Sequence, residues 1–598
     1  AVGHGALRLN TTASNNTALG QNALYANTTG AENTAVGQGA LDANTTASYN
    51  TAVGYNSLTA NTTGASNVAV GKDALAANTT GTNNIAIGRD ALTANTTAND
   101  NVAIGLDAML VNTTGAENVA IGYGVLDANT TGSYNTAVGR LALTANTTGV
   151  QNTMVGKSCG AANTTGSYNV AMGTDTFSSN TTGANNTAIG WQSLVANTTG
   201  VQNVAVGSYA LDANTTGRDN VALGYGSLTA NTTAANNVAI GRTAMEANTT
   251  GAGNVAIGKD ALIANTTASN NVAIGLDALT TNTTGGDNVA IGRDALNDNT
   301  TASGNTAVGT ECLSKNTTGG NNTAVGFQSL ENSTTGAQNT AVGYQAMEEV
   351  TTGIDNTGVG AFAMDTLTTG SDSTACVYDS LTNITTASRN SAFGESALKS
   401  ITTGSRNIGV GSLAGQTTTT GDYNICIGYD SRTSAVDSSA QIVIGDSVIG
   451  TTNNAVFIGT SAGHVRNDFL SDGTWDQVSD VRKKTNIEDS SMGLEFINKL
   501  RTVIFNFKAP SEYPEEWAEY NANQTEPIVK DKKIGLIAQE VKEVIDELGI
   551  EHYDGVWGEK PNGQQEIGPS DYIFPLIKAI QELSAEVEEL KQQLNNGE

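Results

Sequence analysis

A glycine recurs every seventeen residues along most of this 598-residue chain, and this period constrains the fold more than any other feature. The series runs from Gly3 through Gly20 and Gly37 to Gly445 without an insertion, and only Val377 interrupts it. Such regularity is typical of a solenoid, in which each repeat stacks on the one before. The sequence therefore predicts one long array over residues 1–460, rather than the several globular domains that its length alone suggests.

The repeat reads Asn-(Thr/Val)-Ala-(Val/Ile)-Gly-x-x-Ala-Leu-x-Ala-Asn-Thr-Thr-Gly-x-x, and we number its positions one to seventeen from the first Asn. Its apolar residues alternate with period two, and the unit is too short for a pair of helices. We therefore predict a mostly β fold, a parallel β-solenoid with one strand spacing per coil. At ~4.8 Å per coil, twenty-six periods would form a rod about 125 Å long.

Substitutions within the repeat indicate which side chains point inward. Position four is almost always aliphatic and position nine is almost always Leu or Met, so we expect both to fill the coil. Position twelve should also be interior, as a ladder of buried Asn amides that satisfy one another, because aliphatic residues replace it late in the array. Position twelve is Asn from Asn10 to Asn316 and is then, in order, Ser333, Val350, Leu367, Ile384, Ile401 and Thr418.

Variable residues at positions six and seventeen predict two exposed rows, which include Tyr55, Trp191 and Asp219. Aromatic and acidic side chains suit carbohydrate, but solvent exposure or packing between chains is the interpretation that we favour. The Asn-Thr-Thr triplets match the N-glycosylation acceptor, although a buried ladder explains them better. The adjacent threonines do not form the Thr-x-Thr face of an ice-binding solenoid, and the glycine framework of calcium-binding rolls is missing.

Composition excludes several classes of function. The net charge of −29 argues against binding to nucleic acid or to an anionic membrane surface. No apolar run is long enough for a membrane-spanning helix, and no motif requires a metal or a cofactor.

The irregular spacing of Cys159, Cys312, Cys376 and Cys426 predicts buried thiols without disulfides. The chain begins inside a repeat without Met, so we expect a further N-terminal part.

The residues after the array differ from it in composition. Residues 461–478 are predicted to be an irregular connector, and residues 479–598, which hold all six prolines, a small α/β domain. We predict a helix over 492–500, a strand over 502–507, and a strand from 534 that leads into a helix ending near 548. A last helix over 572–596 is predicted to form a coiled coil. Its apolar seam is Leu576, Ile580, Leu583, Val587, Leu590 and Leu594.

A hydroxyl and an amine, those of Ser479 and Lys484, lie five residues apart at the start of this domain. A serine needs a nearby base to act as a nucleophile, and a lysine is such a base only where burial or neighbouring positive charge favours its neutral form. Arg482 and Lys483 supply positive charge. Taken alone, a serine and a basic cluster indicate no more than a polar loop.

Three motifs, in order, resemble one family. They are Ser479-Asp480-x-Arg482-x-Lys484-x-Asn486-Ile487, Gly535-Leu536-Ile537-Ala538-Gln539-Glu540-Val541, and Ile577-Lys578-Ala579-Ile580-Gln581-Glu582-Leu583 with its continuation through Leu590-Lys591. This pattern is similar to the endosialidase-type intramolecular chaperone and autoprotease domain at the C-terminus of phage tail spikes and tail fibres. The resemblance implies trimer-dependent folding of a β-stalk and then self-release, with Ser479 as nucleophile and Lys484 as general base. The adjacent Lys483 is an alternative base, although the spacing favours Lys484. Asp480, Arg482 and Asn486 are implied as positioning residues.

The array resembles the head repeats of trimeric autotransporter adhesins, which build a left-handed parallel β-roll. This resemblance implies a left-handed roll in a homotrimeric rod, with small Ala side chains where three rods pack closely. The heads have a shorter period than this chain, and a triple-stranded, interleaved helix remains the alternative architecture.

Together these patterns predict a structural, trimeric phage tail fibre, an extracellular virion appendage that is made in the host cytoplasm and attaches to the host surface. Its expected partners are two further copies, a host cell-surface glycan or protein, and the virion baseplate or tail, with neither nucleic acid nor membrane insertion. Any enzymatic activity would be a single-turnover cleavage in cis. A bacterial trimeric surface adhesin with the same maturation domain is the alternative. A glycan-degrading spike would need a unique pair of carboxylates, which the uniform array does not offer.

Overall fold

The structure is a computed structural model that describes residues 1–468, 475–477, 484–517 and 519–597. The chain divides into two compact units, Ala1–Gln477 and Val478–Glu598. The first is a long parallel β-solenoid and the second is a small α/β unit that ends in a helix, which confirms the predicted fold class.

Each coil of the solenoid contributes one three-residue strand at positions two to four. Every strand pairs in parallel with the strand seventeen residues further along the same chain, as Val238 does with Val255. The twenty-five strands β1 to β25 are Thr17–Leu19, Thr34–Val36, Thr51–Val53, Val68–Val70, Ile85–Ile87, Val102–Ile104, Val119–Ile121, Thr136–Val138, Thr153–Val155, Val170–Met172, Thr187–Ile189, Val204–Val206, Val221–Leu223, Val238–Ile240, Val255–Ile257, Val272–Ile274, Val289–Ile291, Thr306–Val308, Thr323–Val325, Thr340–Val342, Thr357–Val359, Thr374–Cys376, Ser391–Phe393, Ile408–Val410 and Ile425–Ile427.

The last strands of this unit change direction. Strands β26 (Gln441–Asp446) and β27 (Ala455–Thr460) continue the parallel sheet. Strand β28 (Gly463–Asp468) then pairs antiparallel with β27, and β29 (Trp475–Gln477) pairs antiparallel with β28. The prediction of an irregular chain after residue 460 is therefore wrong for Gly463–Asp468, because the chain turns back and pairs with the strand edge that the last coil leaves open.

The interior of the coil is filled by position three rather than by position four. Ala at position three, Ala at position eight and Leu at position nine are fully buried, as in Ala239, Ala244 and Leu262. The side chains at position four point away from the interior and stay partly exposed, so the prediction for this position is wrong and that for position nine is confirmed. Alternation along a strand puts positions two and four on one face and position three on the other, and the narrow coil takes the small residue.

A glycine at position five lets consecutive coils approach closely. Gly241 has a φ of +135°, and a Cβ added there would lie 2.3 Å from the carbonyl oxygen of Gly258 in the next coil. A side chain at this position would therefore need both an unfavourable backbone conformation and a wider spacing between coils. Val377 occupies this position in one coil, with a φ of +92°.

Position twelve forms the predicted ladder of buried Asn side chains. The side-chain nitrogen of Asn214 donates to the side-chain oxygen of Asn197 at 2.9 Å and to the carbonyl oxygen of Gly217 in its own coil at 3.1 Å. Both Asn residues are fully buried, as are the aliphatic residues that follow the ladder, such as Val350 and Leu367. The prediction that position twelve is interior is confirmed, and the burial of these amides keeps them from serving as glycosylation acceptors.

A second Asn ladder runs along position one. The backbone N–H and the side-chain nitrogen of Asn220 both contact the side-chain oxygen of Asn203, at 3.1 Å each. The side-chain nitrogen also donates to the carbonyl oxygen of Ala234, at 2.9 Å. We did not predict this ladder, although the near-invariance of Asn at position one was its signal. Because each amide has partners in neighbouring coils, the two ladders resist sliding of one coil over the next.

The ladder at position twelve ends abruptly at Ser333, which suggests a stabilising substitution. The side-chain oxygen of Asn316 and the hydroxyl of Ser333 are buried without hydrogen-bond partners. Ser333→Asn would place a donor beside Asn316, as in the preceding coils, and should stabilise these coils by about 1 kcal/mol. We expect hydrogen exchange of the local backbone amides to slow about fivefold. Thr335→Asn, on the exposed side of the same coil, is the control, and equal slowing in both variants would contradict the ladder as the cause.

The second unit contains three helices and two small two-stranded sheets within the residues described. Its elements are α1 (Leu494–Lys499), β30 (Val503–Phe505), β31 (Lys533–Gly535), α2 (Ala538–Leu548), β32 (Gly558–Glu559), β33 (Gln565–Glu566) and α3 (Ile573–Asn595), with 3₁₀ turns at Pro510–Glu512 and Pro569–Tyr572. Strands β30 and β31 are antiparallel, as are β32 and β33. The three helices and two strands predicted from the sequence are present, with bounds within a few residues.

Candidate functional site

The residues of the predicted self-cleavage site fall mostly outside the described part of the chain. Ser479, Asp480 and Arg482 lie outside the described residues, so their predicted roles remain predictions. Lys484 and Asn486 are described, and both are exposed in the single chain. Asn486 has a left-handed backbone with a φ of +54°, which Asn tolerates better than most residues.

The helix after this segment is attached to the C-terminal helix. The backbone N–H of Leu494, at the start of α1, donates to a carboxylate oxygen of Glu582 on α3 at 2.6 Å. A Cβ on Gly493 would lie 2.1 Å from the same oxygen, so a larger residue there would displace this carboxylate. Phe496 of α1 is fully buried and its ring stacks on that of Tyr572 at 6.4 Å between centroids. These contacts join the beginning and the end of the domain.

The second motif provides the core of the domain. Gly535 ends β31, and α2 begins at Ala538 and buries Val541 and Ile545. Glu540, the acidic residue of the motif, accepts two hydrogen bonds from the guanidinium of Arg501, one of them 3.0 Å long. These hydrogen bonds lower the pKa of the Glu540 carboxyl. The motif therefore has a structural role, because it fixes α2 against the segment that follows α1.

The C-terminal helix presents an uncovered apolar seam. The six side chains of the seam stay between 41% and 75% exposed in the single chain. They repeat at alternating spacings of four and three, which is the pattern of a coiled-coil core. We name this set the α3 seam, and its members are Leu576, Ile580, Leu583, Val587, Leu590 and Leu594.

An apolar groove of about 360 Å³ continues the α3 seam into the body of the domain. Leu576 belongs to both surfaces, and Ile534, on β31 beside the groove, is 77% exposed. Such a continuous apolar surface is unfavourable in water and marks an interaction site. The groove is lined by Ile497, Leu500, Ile534, Leu536, Tyr572 and Leu576, among others.

The solenoid carries aromatic and acidic groups on its surface. Side chains at position six are exposed as predicted, and Phe327 and Tyr344 stack at 5.5 Å between ring centroids. Asp365 lies at position ten, where burial raises the pKa of its carboxyl to about 6. No group of three or more His, Cys, Asp or Glu side chains within the described ranges is arranged to hold a metal ion.

Comparison with known proteins gives a family match within the second unit. Residues 479–550 match the family model described as "Chaperone of endosialidase". The match begins at Ser479 and includes α1 and α2, whereas α3 lies beyond its end. Neither a search of curated proteins nor a search of solved structures gave a significant match. In this chain, a segment similar to the chaperone of endosialidase therefore follows a β-solenoid of 17-residue coils.

Proposed function

We propose that the chain is the subunit of a homotrimeric phage tail fibre, a virion appendage for attachment to the host surface. The C-terminal domain assists the folding of the trimer and then releases itself by cleavage near Ser479. The match of residues 479–550 to the chaperone family supports the assembly role. The predicted Ser479–Lys484 dyad at the start of that match supports the cleavage.

The α3 seam is the observation that carries the proposal. Six large apolar side chains in a helix of twenty-three residues gain their burial only against other helices. Burying one such side chain contributes about 1.5–3 kcal/mol, so the seam supplies a substantial driving force for association. The resemblance to the endosialidase-type domain implies that three chains associate.

The solenoid itself explains why a chaperone would be needed. Its coils are nearly identical and each contacts mainly its neighbours, so folding can begin at many places along the array. Three such chains could associate one or more coils out of register with little loss of contacts. A domain that joins the three chains at one end sets a single register before the coils stack.

The self-release step requires that Lys484 acts as a base. A lysine is a base in its neutral form, which burial favours and solvent opposes. Lys484 is exposed in the single chain, so assembly of the trimer would supply the burial. Cleavage would then follow assembly, with Ser479 as nucleophile and with Asp480, Arg482 and Asn486 as positioning residues.

A bacterial trimeric surface adhesin with the same maturation domain is the second candidate, since the array resembles adhesin head repeats. Within the described residues, no helix is both long and apolar enough to cross a membrane. The gene that encodes the chain distinguishes the two candidates. A virion-attachment module upstream supports the tail fibre, and an outer-membrane anchor supports the adhesin.

Analytical ultracentrifugation of the purified protein tests the assembly directly. We expect the native mass to be three times the mass that mass spectrometry gives, under denaturing conditions, for the stalk piece or for an uncut chain. A native mass equal to that of one chain would contradict the proposed function.

A further inference from the structure

The first turns of α3 expose two apolar side chains that do not belong to the α3 seam. Phe574 and Ile577 keep 72% and 47% of their surface exposed. They lie three positions apart, so they share one flank of the helix, and we name them the α3 flank. Pro575 and Ala579 lie on the other flank and are buried by the rest of the domain. The α3 flank therefore faces away from the domain of its own chain.

The spacing of the α3 seam gives each of these residues a position in the coiled-coil heptad, written abcdefg. Leu576 lies at position d and Ile580 at position a, the two core positions. Ile577 is then at e and Phe574 at b, on the side of the seam next to position a. Tyr572, which precedes α3 with a helical backbone, is at g, on the side next to position d.

The apolar groove lies on the g side of the seam. Tyr572 and Leu576 line it from α3, Leu500 lines it from the segment after α1, and Ile534 lines it from β31. No lining residue of the groove is charged, and neither residue of the α3 flank lines it. Within one chain, the groove and the α3 flank are thus on opposite sides of the seam, and each is uncovered.

A parallel coiled coil brings these two sides together. In such an assembly, position g of one helix lies beside position e of the neighbouring helix in the following heptad. Tyr572 and Ile577 are a pair of this kind. Tyr572 of one copy lies at the groove, so Ile577 of the next copy would arrive at the edge of the groove. Phe574, one turn earlier on the same flank, would then face the groove itself.

We propose that the α3 flank of each copy fills the apolar groove of the neighbouring copy, with Phe574 as the residue that enters the groove. This inference rests on the proposed trimer and adds a contact outside the seam. A second copy is the occupant that the geometry supports, because Leu576 belongs to both the seam and the groove. The helix that covers the seam therefore also reaches the groove.

The contact gives the domain a role beyond that of a helix bundle. A phenylalanine that becomes buried removes about 150–250 Å² of surface from water. The contact is made head to tail, from the flank of one copy to the groove of the next, and it closes into a ring around a threefold axis. Each domain body is then fixed to the helix of the next chain, in addition to the association along the seam.

A crosslink between the two surfaces tests the contact. Phe574→Cys with Ile534→Cys places one thiol on the α3 flank and one at the groove, and both positions are exposed in the single chain. Ser479→Ala in the same chain keeps the domain attached, and Cys376→Ser removes the native thiol that is only partly buried. Burial raises the pKa of the other three native thiols to about 12, so they react slowly.

We expect a short bismaleimide to give covalent dimers and trimers of this full-length chain, with a yield about tenfold above that of a matched control. The control carries Gln581→Cys in place of Phe574→Cys. Gln581 has the same heptad position one heptad later, about 10 Å further along α3 and beyond the groove. Denaturing gel electrophoresis measures both yields, and sedimentation velocity measures the assembly before crosslinking.

The outcomes of the crosslink separate the inference from the proposed function. Crosslinks that form only within single chains would overturn the neighbouring copy as the occupant of the groove. Equal yields from the Phe574→Cys and Gln581→Cys chains, in protein that sediments as a trimer, would overturn the groove contact and leave the trimer intact. A protein that sediments as a monomer would instead contradict the proposed function.

Phe574→Asp tests whether the contact contributes to assembly. Phe574 is the second residue of α3, where a carboxylate favours the helix within one chain. Entry into the groove would bury this charge without a partner, so we expect the fraction of chains that sediment as a trimer to fall about tenfold. Gln581→Asp adds the same charge beyond the groove and should assemble like the wild type. Equal trimer fractions in the two variants would overturn the inference.

Discussion

The wild-type chain should be recovered as two pieces, and the Ser479→Ala variant as one chain of 61.0 kDa. The variant lacks the hydroxyl that would attack the peptide bond, so no covalent intermediate can form. Mass spectrometry under denaturing conditions measures the outcome and also identifies the bond that is cut. The Ser479→Ala protein should still sediment as a trimer, because α1, α2 and the α3 seam are unchanged.

The two adjacent lysines provide the matched control. Lys484→Gln removes the predicted base and should slow cleavage about 10²–10⁴-fold, while Lys483→Gln removes the neighbouring charge and should leave most of the cleavage. The reverse result would assign the base to Lys483. Intact wild-type protein, or cleavage in Ser479→Ala, would remove the protease part of the proposal.

The sequence predicts the coil well where substitutions reveal the environment of a side chain. Position twelve changes from Asn to Val350 and Leu367, and only an interior site accepts both types of residue. Position four was assigned to the wrong face because the usual rule places the larger aliphatic residue inside a single chain. That rule fails here because alternation along a three-residue strand turns only position three inward, and the narrow coil accepts a small residue there.

In the C-terminal unit, the sequence predicts the elements but not the contacts between distant residues. Its helices and strands follow from periodicity and from proline positions, and their bounds agree closely with the prediction. The bond between Leu494 and Glu582 joins residues 88 positions apart and has no signature in a single sequence. Strand β28 was also missed, because its residues His464 and Arg466 do not form an apolar pattern and its pairing depends on the open edge of β27.

The second large effect is expected when the α3 seam is made acidic. Ile580→Glu with Leu583→Glu would place six carboxylates in the core of a three-helix assembly, and each unpaired buried charge costs several kcal/mol. We expect the soluble trimer to be lost and the stalk to aggregate. Gln581→Glu with Ser584→Glu adds the same charge to the same turn outside the seam and should assemble normally. Sedimentation velocity and the soluble fraction measure both variants.

The acidic seam variant also tests whether cleavage depends on assembly. Lys484 is exposed in the single chain, so a chain that does not assemble should stay uncut at 61.0 kDa. Cleavage in the unassembled variant would show that the dyad is complete within one chain. If the acidic variant stays uncut while the Gln581→Glu/Ser584→Glu control is fully cut, cleavage depends on trimer formation. Only correctly assembled fibres would then release the domain that assembled them.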